Sequence, residues 1–374
     1  MTTMELPVQP FRNLYIHVPF CRGKCGYCVF YSIPGSGEDL RSAYLERLAS
    51  LFASVVTDCD PLHSVYIGGG TPSVLLPGEL RRLLQAVVRS FCFEADCEWT
   101  VECNPETLDE ARVAVLAQAG VNRVSLGVQT LNERHRATLQ RGGSAADASR
   151  AVGFLRRGGI PNISCDLIYG IPGQTLDEWR EDLAQVLDLG ILHLSTYELT
   201  WEEGSRLSGG ELRPVPEETA LFMWDAVEAV SARYGLKRYE VSNLALPGWE
   251  CRHNQAVWHG ESYLGCGPAA ASFDGRVRWT QVPDLTRWLQ DEPPDADRLP
   301  PEDRAAEILA FGLRTAAGWE REQFRRATGF DCEAFRGAVI GALADEGFLV
   351  ADTDRIRPTR RGLLFADLVA ERLL

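Results

Sequence analysis

The sequence predicts an α/β chain: a parallel sheet wrapped by helices, followed by a small α+β domain of winged-helix character. Three observations carry this. From residue 11 to about 243, short apolar runs alternate with amphipathic stretches. Such strand–helix alternation implies parallel pairing with right-handed crossovers, as a barrel or a doubly wound layer. The distinctive polar residues stand at or just after strand ends, where α/β barrels place their chemistry. Beyond about residue 300 the rhythm changes to helices, a short ribbon and a last helix.

In chain order the strands read as Leu14–Val18, Ser64–Gly68, Thr100–Glu102, Arg123–Val128, Ser164–Ile168, His193–Glu198 and Arg238–Ser242. Each is a short apolar or β-branched run, the length of a buried strand. Between them the spacing turns helical over Leu40–Val56, Leu80–Phe91, Leu108–Ala119, Ala145–Arg157, Leu176–Leu189 and Glu217–Tyr234. Gly, Pro and Trp then break the pattern over 244–295, with Pro247-Gly-Trp249 and Asp291-Glu-Pro-Pro-Asp295 as turn signals. The predicted division is a core over 1–243, a connecting region over 244–295 and a C-terminal domain over 296–374. In the last part, helices are expected near 303–316, 320–327 and 331–346. A ribbon at Phe348–Ile356 and a helix near 360–373 follow, which is the winged-helix order.

Composition excludes several function classes. At 374 residues and 45% hydrophobic, the chain can bury a full core without staples, and disorder is excluded. No apolar run approaches a membrane span, and the start, Met1-Thr-Thr-Met-Glu-Leu-Pro7, lacks the basic-then-apolar order of a signal peptide. A cytoplasmic location is expected. The net charge is −14, with 38 cationic and 52 acidic residues, which argues against a nucleic-acid partner. The C-terminal domain is slightly acidic, so packing or partner docking suits it better than DNA binding. Eleven cysteines in such a chain do not form a disulfide framework. Eight are scattered; the other three are not.

The first strand runs into Cys21-Arg-Gly-Lys-Cys25-Gly-Tyr27-Cys28. Three thiolates within eight residues converge on one soft metal centre only if the loop wraps it. An iron–sulfur cluster normally takes four Cys, so a three-Cys loop leaves one iron open for a small molecule. The competing reading is a structural zinc completed by His17. A redox pair of Cys25 and Cys28 leaves Cys21 unexplained.

This CxxxCxxC loop resembles that of the radical S-adenosylmethionine (SAM) superfamily. The stretch from about 11 to 275 resembles its branch of oxygen-independent coproporphyrinogen oxidases and heme chaperones. The resemblance implies a partial (β/α) barrel with a [4Fe–4S] cluster on Cys21, Cys25 and Cys28. It also implies SAM contacts. Tyr15 and Tyr27 match aromatic positions of the family. Gly69, Gly70 and Thr71, in Gly68-Gly-Gly-Thr-Pro72, match its glycine motif, and Glu102 a SAM-binding acid. Gln129, Arg141 and Asp166 complete the set. Chemically, Arg141 suits a carboxylate, while Gln129 and Asp166 suit hydroxyls. The implied chemistry is reductive cleavage of SAM to methionine and a 5′-deoxyadenosyl radical.

Within the branch, two departures set this chain apart from the oxidases. Their pattern has a fourth cysteine where this chain has Phe30, and a longer leader than the ten or so residues before the first strand. Phe30 and the His253-Asn254…Trp258 pattern resemble the heme chaperones, which transfer heme to acceptor proteins. That resemblance implies heme near the barrel mouth with His253 as axial ligand and Trp258 as an apolar neighbour. Cys251 and His259 are competing ligands, and Arg252 is the nearest cation for a propionate. The implied partners are a heme acceptor and an electron donor. Coproporphyrinogen III oxidase remains the alternative activity.

Overall fold

The computed structural model describes every residue except 1–5, 7 and 209–211, so the reading of the first residues as free of a signal lies outside the described residues. Six strands follow one another across the sheet: β1 (Phe11–Val18), β2 (Cys59–Gly69), β3 (Phe93–Cys103), β4 (Arg123–Gln129), β5 (Asn162–Tyr169) and β6 (His193–Glu198). Each pairs in parallel with the next. Helices connect them, and their boundaries follow local rules. Asp109 accepts from Arg112 N to start Glu110–Ala119, and Gly120, at φ +95°, ends it in the left-handed region. Thr175 and Glu178 form a capping box for Leu176–Asp188.

The alternation of β1 shows why the sheet curls. Leu14, Ile16 and Val18 are fully buried in the main core with residues from the outer helices. Asn13, Tyr15 and His17 take the other face, so the barrel interior is polar from the start. Below the mouth this interior is lined by Asn13, Ser64, Thr100, Arg123, Ser164 and His193, all buried.

Arg238–Ser242, expected as a seventh strand, forms only the two-residue strand Lys237–Arg238. The C-terminal domain draws the rest away: Glu240 makes a β-bridge to Thr315, and Val241 N donates to Arg314 O. The short β7 (Asn243–Ala245) then runs antiparallel to β6. The seventh parallel strand is β8 (Tyr263–Cys266), on the opposite side of β1. Strands Ala271–Phe273, Arg278–Thr280 and Asp295–Asp297 continue the sheet beyond β8, giving an open sheet of 12 strands among the described residues. The barrel is therefore partial.

The C-terminal domain has helices Pro301–Gly312, Arg321–Thr328 and Cys332–Asp345 around an antiparallel ribbon of Trp319–Glu320, Leu349–Ala351 and Arg355–Pro358. Trp319, Phe324, Ile340, Leu343 and Ile356 make its own core. The last expected helix is broken at Phe365 into Arg360–Leu364 and Ala366–Leu373. Among the described residues, no helix is long and apolar enough to cross a membrane.

Candidate functional site

The cysteine loop hangs over the C-terminal ends of the strands. Phe20–Cys21 pairs with Ile33–Pro34 in a two-residue parallel ladder, which closes the loop at its base. Gly26 N donates to Leu139 O, and Leu207 N donates to Gly26 O, so two later segments pin its middle. A side chain at Gly26 would press on Leu207, its Cβ 3.2 Å from the leucine. Cys21 Sγ lies 3.5 Å from Thr71 Oγ1, and Arg141 Nη1 donates to Cys25 Sγ at 3.4 Å.

His17 does not join the thiols. Its Nε2 donates to Tyr31 O at 2.9 Å, because a carbonyl only accepts, and its Nδ1 then accepts from Tyr15 OH at 3.0 Å. Both ring nitrogens are used, which removes the fourth ligand of the zinc alternative. Among the described residues, no three His, Cys, Asp or Glu side chains close on a single-ion position.

Below the loop lies a cavity of about 480 Å³, lined by Cys21, Cys25, Cys28, Tyr27, Gly69, Gly70, Thr71, Glu102, Gln129, Arg141 and Asp166. The glycines make it possible. A Cβ on Gly68 would fall 2.6 Å from the Glu102 carboxylate, and one on Gly69 (φ +99°) 2.4 Å from the His17 ring. Bare backbone thus lets Glu102 accept from Gly69 N at 3.0 Å, while Tyr66 OH donates to it at 2.8 Å. Burial pushes the Glu102 carboxyl up to about 7, against the lowering effect of the Tyr66 hydroxyl.

The cavity wall continues through β4 and β5. The register slips between Gly127 and Gln129, and Gln129 adopts φ +69°, a left-handed conformation that re-aims its side chain. Arg141 Nη2 donates to Asn104 Oδ1 at 2.6 Å and to Gly127 O at 2.5 Å, while Asn104 Nδ2 donates to Thr71 Oγ1 at 3.2 Å. Asn104 therefore ties the glycine motif to Arg141. The sequence reading of Glu102 gave Asn104, two residues on, no role. Tyr66, which holds Glu102, was missed altogether; its signal is its place two residues before the glycines, on the inward face of β2. Asp166 accepts from Ser125 Oγ at 2.9 Å, and burial pushes its carboxyl up from the ordinary range.

Three expected residues lie apart from this cavity. Tyr15 is beneath it, holding His17. His253 and Trp258 are at the opposite end of the barrel. The expected loop beside the mouth is a helix, Arg252–Trp258, that plugs the floor. Glu98, at the start of the inward row of β3, accepts from Arg252 N at 3.1 Å and His253 N at 3.2 Å. Cys251 Sγ donates to it at 3.4 Å, which engages that competing ligand too. Asn13 Oδ1 takes the Ser64 hydroxyl proton at 2.7 Å, so the Ser64 oxygen accepts from His253 Nδ1 at 2.8 Å. The His253 ring lies on Tyr66, with centroids 5.2 Å apart, and the residue is 6% exposed. Burial, then Arg123, pushes its pKa down to about 3. Placement at the mouth is therefore corrected: residues 189 positions apart in sequence meet here, which spacing could not reveal.

Trp258 faces the C-terminal domain, edge-on to Phe311 at 6.0 Å with the Arg314 guanidinium over its ring at 5.2 Å. His259 contacts Gln255 O through Nδ1 at 2.9 Å and Gly318 O through Nε2 at 3.1 Å. Arg252 is paired with Asp96 at 2.9 Å.

Comparison with known proteins agrees with this geometry. Residues 15–186 match the Radical SAM superfamily and residues 299–365 the HemN C-terminal domain. The chain is 33% identical to the heme chaperone HemW of Lactococcus lactis over 98% of both chains. It is 34% identical to that of Mycobacterium tuberculosis, covering 99% of this chain and 96% of the relative. Against that of Escherichia coli the identity is 32%, over 98% of each. The fold of coproporphyrinogen III oxidase (HemN) from Escherichia coli superposes with a TM-score of 0.85 at 20% identity, covering 99% of this chain and 90% of that one. The chain belongs to the radical SAM superfamily, in the HemN-like branch that contains the HemW proteins.

Proposed function

We propose that this chain is a heme chaperone that holds a [4Fe–4S] cluster and SAM, takes up heme and passes it to an acceptor protein in the cytoplasm. The observation that carries the reading is the convergence of three loop cysteines with Glu102, Gln129, Arg141 and Asp166 on one cavity, in a chain similar over its whole length to proteins named heme chaperone HemW.

The residues present fit both groups. Three thiols without a fourth protein ligand suit a cluster with one open iron, and the cavity beneath them offers donors, acceptors and a cation for SAM. Cys21, Cys25 and Cys28 would hold the cluster, which would supply one-electron reduction from an external donor for cleavage of bound SAM. The chain's own part is positioning. Arg141, with its buried Nε unpartnered, keeps donor capacity toward a carboxylate. Asp166 and Gln129 offer groups for hydroxyls, and Glu102 an acid for an ammonium. Tyr27, beside the last cysteines, closes the wall and limits water.

The test is anaerobic reconstitution with iron and sulfide, followed by hemin titration and transfer to an apo-hemoprotein. Cluster formation with no heme binding would refute the chaperone reading. The fold likeness to HemN leaves the oxidase reading open. Phe30 stands where that pattern has a fourth cysteine, so decarboxylation of coproporphyrinogen in the presence of SAM and reductant is expected to be absent.

A further inference from the structure

The rim of the cofactor cavity carries groups that the cluster and SAM do not use. Val29 and Phe30, directly after Cys28, line the cavity and are 45% and 66% exposed. Their backbone is fixed rather than frayed: Lys24 Nζ donates to Phe30 O at 3.2 Å, and His17 holds Tyr31 O. Across the opening, Tyr197 (44% exposed) and Leu199 continue the apolar wall. A solvent-facing apolar ledge on a cavity rim indicates a ligand surface.

Charge around the ledge is divided. In a chain of net charge −14, no Asp or Glu occurs from Phe20 to Gly37, the stretch that forms the loop, whereas Arg22 and Lys24 do. Arg22 is exposed at the loop, and Arg206 donates to Lys24 O, which brings a further cation to the same side. Glu198 and Glu202 line the cavity beyond Tyr197. The opening thus has an apolar ledge, a cationic lip and an acidic lip.

We propose that this rim is the heme-docking site, with one porphyrin face on Val29 and Phe30 and the propionates toward Arg22, Lys24 and Arg206. The ligand class is a flat apolar dianion: the ledge supplies area, the cationic lip meets the carboxylates, and the acidic lip rejects the reversed pose. This rests on the chaperone reading and adds where heme binds. It also removes the demand on His253, whose imidazole is bonded to Ser64 and packed on Tyr66 at the other end of the barrel.

The experiment is titration of anaerobic, cluster-loaded protein with hemin and with heme dimethyl ester, which lacks the carboxylates. Phe30→Asp is expected to weaken hemin binding by about tenfold or more, the scale of losing one aromatic contact. Arg22→Glu with Arg206→Glu is expected to weaken hemin severalfold and leave the dimethyl ester unchanged. His253→Ala is expected to bind hemin as the wild type does. Cluster absorbance and the melting curve report whether each variant is intact. Should Phe30→Asp fail to hold the cluster, Val29→Ser carries the same expectation. Wild-type protein that binds no hemin overturns the chaperone reading. Wild-type protein that binds, with Phe30→Asp and the arginine pair equal to it or with loss only in His253→Ala, overturns the docking site alone.

Discussion

The two ends of the barrel are built from the same strands and use polarity in opposite ways. At the floor, polar side chains satisfy one another: Ser64 bridges Asn13 and His253, His193 bridges Ser164 and Tyr239, and Glu98 takes three donors from the plug helix. At the mouth, glycines replace side chains, carboxyls are buried with raised pKa values, and the space between them is left open. The lesson is that a buried polar residue suggests a ligand site only where the chain does not itself supply the partners. His253 and Asp166 look alike as isolated letters in a sequence, and only their surroundings separate them.

The largest effect that sharpens this contrast is at the loop. Replacing Cys21, Cys25 and Cys28 together by Ala is expected to abolish the iron–sulfur absorbance entirely while leaving the far-UV circular dichroism unchanged. These thiols form no disulfide and hold no part of the main core. A triple variant that keeps the wild-type iron content would break the assignment.

The floor is expected to respond in stability rather than in cofactor. Glu98→Ala leaves two backbone N–H groups and the Cys251 thiol unpaired in a buried layer. The expected cost is about 3 kcal/mol in urea unfolding, since a lost carboxylate partner strands each donor without water. Unchanged stability would mean that the plug helix is not held by its N-terminus.

How much of this was legible follows from distance along the chain. The cysteine loop and the glycine motif each carry their meaning within ten residues, and both stand at strand ends in the structure. Strands β1 to β6 were legible because a parallel strand is a short apolar run bounded by turns. Arg238–Ser242 has the same appearance, yet the pull of Thr315 and Arg314 decides its pairing. His253 was misplaced for the same reason: its partner Ser64 belongs to another strand, and nothing local in His-Asn distinguishes a plug from a ligand.

A smaller effect compares the two ends through single side chains. Arg141→Ala and Asp166→Ala are each expected to weaken SAM binding about five- to hundredfold, equivalent to roughly 1–3 kcal/mol for one charged or polar partner. Asp166→Ala is not expected to lower stability as Glu98→Ala does, because burial already disfavours the Asp166 carboxylate. Calorimetry on reconstituted protein measures the first effect and urea unfolding the second. Unaltered SAM affinity in both variants would remove the proposed site.

The smallest expected effect is in pH, and it tests whether the mouth is built for a cation. Burial raises the Glu102 carboxyl from 4.5 to about 7. Between those values the folded state binds more protons than the unfolded one. Its contribution to stability is therefore full below about pH 4.5 and is lost as pH rises through 7. From this group alone, the protein without SAM is expected to be roughly 1 kcal/mol less stable at pH 8 than at pH 6. SAM affinity should move the other way. If the ionised carboxylate meets the SAM ammonium, affinity rises up to about tenfold over the same interval, in proportion to the ionised fraction. Glu102→Gln is expected to flatten both profiles while keeping the hydrogen bond with Tyr66. Parallel rather than opposed slopes in the wild type would show that Glu102 serves the fold, as Glu98 does, and not the ligand.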